Sequence, residues 1–171
     1  YYVSATLTNV TFDRNRGDTG GGFYCCYCCT PSFHDVTFLG NWGRFGGGAC
    51  FEYFGVQDLA NTTFSDNAAW VGGAVYSIDG ARPAYEHVTF EDNSAERQGG
   101  AVYCSGRTRR FEDVVFRGNT AQWDGGAVYA SGHPDRYVLR FTDVLFDGNS
   151  SEKCVDASRP GIVEDVVDVG Q

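Results

Sequence analysis

Seven cysteines are the residues of this chain with the most chemistry to offer. Four crowd into Cys25-Cys26-Tyr27-Cys28-Cys29; the others are Cys50, Cys104 and Cys154. Thiolates bind zinc at C-x-x-C spacing, which occurs twice in overlap, as Cys25/Cys28 and Cys26/Cys29, with His34 nearby. A tetrahedral set needs a second such pair downstream. None exists, so no metal and no cofactor is expected. Many cysteines in a chain without methionine point instead to disulfides and an oxidising compartment. The odd count leaves at least one thiol free or bonded to another chain.

The remaining reactive groups form no constellation. Asp79, Asp124 and Asp135 share no common spacing, and His34, His87 and His133 are equally scattered. No acid and base are paired as hydrolysis of a glycan would require, so an enzyme is not expected. Asp35, Asp113 and Asp143, or Asp66, Asp92 and Asp147, offer oxygens to calcium. The G-G-x-G-x-D calcium repeat is missing, and solvated turns explain them better. Arg16-Gly17-Asp18 spells the integrin-binding tripeptide, in what reads as a glycine-containing turn, and chance accounts for it more simply. Asn9, Asn61 and Asn149 each open an N-x-[S/T] glycosylation acceptor.

The elements that must position these groups follow from a repeat. Phe12/Asn15, Phe38/Asn41, Phe64/Asn67, Phe90/Asn93, Phe116/Asn119 and Phe146/Asn149 each keep the spacing F-x-x-N. From Phe to Phe the steps are 26, 26, 26, 26 and 30 residues (38−12, 64−38, 90−64, 116−90, 146−116). A second mark keeps time with the first: Gly21-Gly22-Phe23, Gly47-Gly48-Ala49, Gly72-Gly73-Ala74, Gly99-Gly100-Ala101 and Gly125-Gly126-Ala127. Such a period means stacked structural units.

Apolar columns stand five residues before each Phe (Leu7, Phe33, Leu59, Tyr85, Phe111, Phe141) and two before it (Val10, Val36, Thr62, Val88, Val114, Val144). The V-x-F alternation puts both side chains on one face of a strand. Between the two apolar columns lie Asn9, Asp35, Asn61, His87, Asp113 and Asp143, which suit a bend. After the glycine pairs, a column of Tyr24, Cys50, Val75, Val102 and Val128 is expected to face inward. The next, Cys25, Phe51, Tyr76, Tyr103 and Tyr129, is expected to form an outer aromatic ladder. A glycine bulge could reverse that assignment.

Paired glycines, β-branched residues and aromatics exclude a helical reading. The unit is too short for a propeller blade and too poor in leucine for a leucine-rich repeat. An all-β parallel β-helix of about six coils remains, with the six Phe rings in one core column and the six Asn side chains in a hydrogen-bonded ladder. F-x-x-N followed by G-G-A-[V/I] is similar to the repeat of the polymorphic outer-membrane protein family. The resemblance spans roughly residues 5–150; Gly21-Gly22-Phe23 departs from it, and Cys154-Val155-Asp156 stands where the last triplet should be. It implies a right-handed coil, exposure on a cell surface or secretion, and an adhesive role. It supplies no catalytic motif.

The net charge of −9, with Lys153 as the sole lysine, argues against nucleic acid and anionic membrane as partners. Arg107, Arg109 and Arg110 make the only basic cluster, in an expected loop. No segment is apolar enough to span a membrane, and the start, without Met or signal-like residues, suggests a mature or excerpted piece. The expected organisation is β-helix repeats over 1–154 and a strand-like cap or assembly segment over 155–171. The expected function is an extracellular structural unit of a fibre, filament or adhesin, with self-association or other surface proteins as partners. The alternative is a glycan-binding or polysaccharide-degrading β-helix. Cys50 is expected to cross-link to Cys25 or Cys26 one coil below, since coil spacing of about 4.8 Å lies within disulfide range.

Overall fold

The computed structural model describes residues 4–106, 109–131 and 139–152, and the backbone of 162–163. Arg107, His133, Asp135, Lys153, Cys154 and most of 155–171 lie outside the described residues. No helix occurs among the described residues, which form four six-stranded sheets. The first sheet stacks β1 (Thr6–Thr8), β5 (Ser32–His34), β9 (Gly55–Ala60), β13 (Ala81–Glu86), β17 (Arg109–Glu112) and β21 (Leu139–Thr142). The second stacks β2 (Thr11–Asp13), β6 (Thr37–Leu39), β10 (Thr63–Ser65), β14 (Thr89–Glu91), β18 (Val115–Arg117) and β22 (Leu145–Asp147). The third holds β3 (Arg16–Thr19), β7 (Trp42–Phe45), β11 (Ala68–Val71), β15 (Ser94–Ala95), β19 (Thr120–Ala121) and β23 (Ser150–Ser151). The fourth holds β4 (Phe23–Cys26), β8 (Ala49–Glu52), β12 (Val75–Ile78), β16 (Val102–Ser105), β20 (Val128–Ser131) and β24 (Ile162–Val163).

Every ladder is parallel except the last, where β24 pairs antiparallel with β20. The described residues therefore make five complete four-sided turns and three sides of a sixth: a parallel β-solenoid of the expected period.

Each corner needs a residue in the left-handed region, and the sequence supplies one. Asn9, Asp35, Asn61, His87, Asp113 and Asp143 turn the first sheet into the second at φ between 49° and 55°. Short polar side chains tolerate that region by bonding to local backbone. Gly20, Gly46, Gly72, Gly99 and Gly125 turn the third sheet into the fourth at φ between 63° and 69°.

These five glycines correct the column assignment. Gly20–Gly22 and Gly46–Gly48 are triplets, and their first members align with Gly72, Gly99 and Gly125. Gly48 and Ala74 thus share a place, with the Gly48 N–H donating to the Ala74 carbonyl at 2.9 Å. Phe23, Ala49, Val75, Val102 and Val128 form the inward column. Tyr24, Cys50, Tyr76, Tyr103 and Tyr129 form the outer one. Cys25 and Phe51 face the core, not the aromatic ladder, because the triplets shift the first two coils by one residue.

The core is built from repetition. Phe12, Phe38, Phe64, Phe90, Phe116 and Phe146 stack face to face with centroids 4.6–5.1 Å apart. The four central rings are wholly buried. Burial of each contributes roughly 1.5–3 kcal/mol, and each offset stack about 0.5–1.5 kcal/mol more. The Asn side chains run beside them. Asn67 Oδ1 accepts from the backbone N–H and Nδ2 of Asn41, both at 3.0 Å. Asn67 Nδ2 donates to Asn93 Oδ1 at 3.0 Å and to the Phe38 carbonyl at 2.9 Å. The same pattern joins Asn15 to Asn41, Asn93 to Asn119 and Asn119 to Asn149. Each buried amide is satisfied by its copies above and below, which is how a polar column survives in the interior.

Candidate functional site

With the interior filled, function falls to the side walls and corners. The fourth corner, from the fourth sheet back to the first, is the most irregular. In later coils it is made by Asp79-Gly80, at φ of 53° and 89°, and by Gly106, at 101°. In the first two coils Tyr27-Cys28, at 52° and 62°, and Tyr53-Phe54, at 55° and 27°, stand in that place. Hydrogen bonds from the Cys28 N–H to the Tyr53 carbonyl and from the Phe54 N–H to the Asp79 carbonyl fix the equivalence. A large side chain in this region costs about 1–2 kcal/mol, and burial does not offset it. Tyr27, Tyr53 and Phe54 are 66%, 36% and 58% exposed, with Val56 beside them at 48%. The Tyr27 and Tyr53 rings stack at 4.6 Å and 6°. Their closeness and the Asp79 carboxylate push the Tyr53 phenol up.

The third sheet carries a different surface. Its outward columns read Arg16, Trp42, Ala68, Ser94, Thr120, Ser150 and Asp18, Arg44, Trp70, Glu96, Gln122, Glu152. Arg16 lies 4.4 Å over the Trp42 ring, Arg44 4.6 Å over Trp70, and Arg97 4.9 Å over Trp123. These cation–π stacks hold the guanidinium groups against the wall. Where the first column shrinks to Ala68, Ser94, Thr120 and Ser150, a groove of about 340 Å³ opens, bounded by Trp42, Glu96, Gln122 and Glu152. Arg16-Gly17-Asp18 lies in β3 of this wall rather than in a loop. Its arginine is stacked on Trp42 because strand geometry sends residues 16 and 42 to the same face.

The cysteines are placed by the corrected register. Among the described residues Cys25, Cys26, Cys28, Cys29, Cys50 and Cys104 are all free thiols. The expected link from Cys50 to Cys25 or Cys26 does not form: Cys50 is opposite Tyr24, Cys25 opposite Phe51 and Cys26 opposite Glu52. Cys25 and Cys50 therefore leave opposite faces of the sheet. Cys25 and Cys29 pack on the core, and burial, with the Cys29 thiol as a lesser cause, pushes the Cys25 thiol up. No group of three or more His, Cys, Asp or Glu that could hold a metal occurs among the described residues. Of the glycosylation acceptors, Asn9 and Asn61 sit at exposed bends. Asn149 is half-buried, with its Nδ2 donated to the Phe116 carbonyl.

A buried charge also escaped sequence reasoning. Arg109 is wholly buried, donating to Ser77 Oγ at 3.1 Å and to the Ser105 carbonyl at 3.1 Å. It sits in the inward column with Gln57 and Pro83, so it is core and not the expected loop. The aromatic corners had a readable signal, since Asp-Gly stands where Tyr-Cys and Tyr-Phe replace it.

Two stretches, 87–105 and 113–131, run from a first-corner residue to the end of a fourth-sheet strand and carry the F-x-x-N and G-G-A-V marks. Both match the Chlamydia polymorphic membrane protein repeat. The fourth and fifth coils of this solenoid are thus similar to that repeat. No curated protein and no solved structure matches the chain. No helix among the described residues is long and apolar enough to cross a membrane.

Proposed function

We propose that this chain is a surface-displayed adhesive β-solenoid that works by presenting its side wall, without turnover. The observation that carries the reading is the pair of aromatic corners: Tyr27, Tyr53 and Phe54 are held exposed in a backbone region that glycine or aspartate would occupy at lower cost. Strain kept in place against folding preference is a mark of a selected surface. The match of two coils to a repeat named for membrane proteins supports a place at the cell surface. Adhesion is favoured over end-to-end filament growth because β24 already occupies the β20 edge, and does so antiparallel.

The test is adhesion of chain-coated beads to cultured epithelial cells. A Tyr27→Asp, Tyr53→Asp, Phe54→Gly variant should lose adhesion at least tenfold while its thermal midpoint does not fall. Undiminished adhesion would sink the reading.

Glycan binding is the second reading, favoured by the groove on the third sheet, where Trp42 stands beside hydroxyls and carboxylates suited to sugar hydroxyls. An array of neutral and acidic polysaccharides separates the two. Binding lost in Trp42→Ala but kept in the corner variant would favour the groove. Turnover abolished by Glu152→Gln would reassign the chain as an enzyme.

A further inference from the structure

We propose that Cys25 and Cys29 are a paired dithiol that closes to an intramolecular disulfide on meeting a low-molecular-weight disulfide, and that this bond pins the corner displaying Tyr27. The two residues bracket the strained Tyr27-Cys28 corner, at φ of 52° and 62°. Both turn inward onto the core, one from either side of that corner. Cys29 is held from both sides: its Sγ donates to the Cys26 carbonyl at 2.7 Å, and its carbonyl accepts from Gln57 Nε2 at 3.0 Å. Neighbouring cysteines are directed elsewhere. Cys26 is opposite Glu52 on the outer side of β4, and Cys50 is 3.9 Å from the Glu52 carboxylate on that same side.

The chemistry is thiol–disulfide exchange. Cys29, partly exposed while Cys25 is buried, gives up its proton and attacks one sulfur of a small disulfide such as oxidised glutathione. A mixed disulfide forms and one glutathione thiol leaves. Cys25 then loses its proton and attacks the Cys29 sulfur, forming the Cys25–Cys29 bond and expelling the second glutathione thiolate, which takes up a proton. Two protein thiols are oxidised and one glutathione disulfide is reduced to two thiols. The pairing stands independently of the adhesive reading; only an effect on adhesion would rest on it.

The test treats the whole chain with oxidised glutathione, quenches in acid, alkylates the remaining thiols and digests with chymotrypsin, which cuts after Tyr27. The expected product is two peptides joined across that cut, with alkyl groups on Cys26 and Cys28. The link should persist in Cys26→Ser/Cys28→Ser and vanish in Cys29→Ser. Amide exchange at residues 27–28 should slow severalfold in the oxidised chain, with exchange in the distant fourth coil unchanged as a check on folding. Alkylated Cys25 and Cys29 after prolonged treatment, or a link carried by Cys26, Cys28 or Cys50 instead, would overturn the pairing. Linked chains with unslowed exchange would overturn the pinning.

Discussion

At the scale of the residue, the asparagine column and the aromatic corners make opposite predictions. Asn67 joins three coils through its amide, and Asn67→Ala leaves the buried Asn41 N–H and Nδ2 without their shared acceptor. Each orphaned buried donor costs about 1–3 kcal/mol, so urea unfolding should report a loss of about 3 kcal/mol. Asn15 is exposed at the first rung, and its side chain donates to Asn41 without supporting a coil beneath. Asn15→Ala should cost less than about 1 kcal/mol by the same reasoning. Equal losses would mean that the ladder adds nothing beyond local packing. The corners run the other way. Tyr53→Asp with Phe54→Gly restores the Asp-Gly corner of the next coil, and should stabilise the fold by about 1–2 kcal/mol. A drop in thermal midpoint would show that the ring stack outweighs the backbone strain.

At the scale of the element, the third corner is the tightest joint. A Cβ on Gly73 would be driven into the carbonyl oxygens of Gly100 and Ser94, both backbone atoms of the coil above. Gly73→Ala should therefore destabilise by about 3 kcal/mol or more, on the order of a core truncation. Ala74→Gly should cost only about 1 kcal/mol, because Gly48 already holds the matching place one coil below. Thermal melts of the two variants check the contrast. The same joint explains what the sequence displayed and what it hid. Phe and Asn columns were legible because the spacing F-x-x-N occurs once in each coil, so only one alignment exists. Gly20–Gly22 and Gly46–Gly48 offer two alignments, and the choice rests on which glycine takes positive φ. An alignment one residue off exchanges the two faces of a strand. That sent Phe51 outward and turned Cys50 inward, beside Val75 instead of Tyr76. The Arg–Trp stacks did leave a signal: Arg16/Trp42, Arg44/Trp70 and Arg97/Trp123 are each one repeat of 26 residues apart (42−16, 70−44, 123−97), so each pair shares a wall position on successive coils.

At the scale of the whole molecule, contacts run almost wholly between adjacent coils, so stability is close to a sum over neighbours. Deleting residues 88–113 joins His87 to Val114 and removes one register-true coil, since Val88 and Val114 occupy the same column and Thr89 pairs with Val115. The shortened chain should fold with unchanged strand content per residue by circular dichroism. Deleting 88–112 instead leaves one surplus residue and should expose the chain to limited proteolysis. Equal protease resistance of the two would show that register is not what holds the stack together.

The parallel ladders also set how the molecule bears load. When the two ends of a coil are drawn apart, its hydrogen bonds to the next coil are opened one after another, as in a zip, because each parallel ladder links residues one coil apart in the chain, such as Phe64 and Phe90. A coil that peels releases its whole contour, on the order of 90 Å at the reach of an extended chain. Single-molecule extension should therefore trace a low, evenly stepped staircase, not one tall rupture. A tether of this build yields length under flow while its remaining coils stay folded, and shortens again as they rewind.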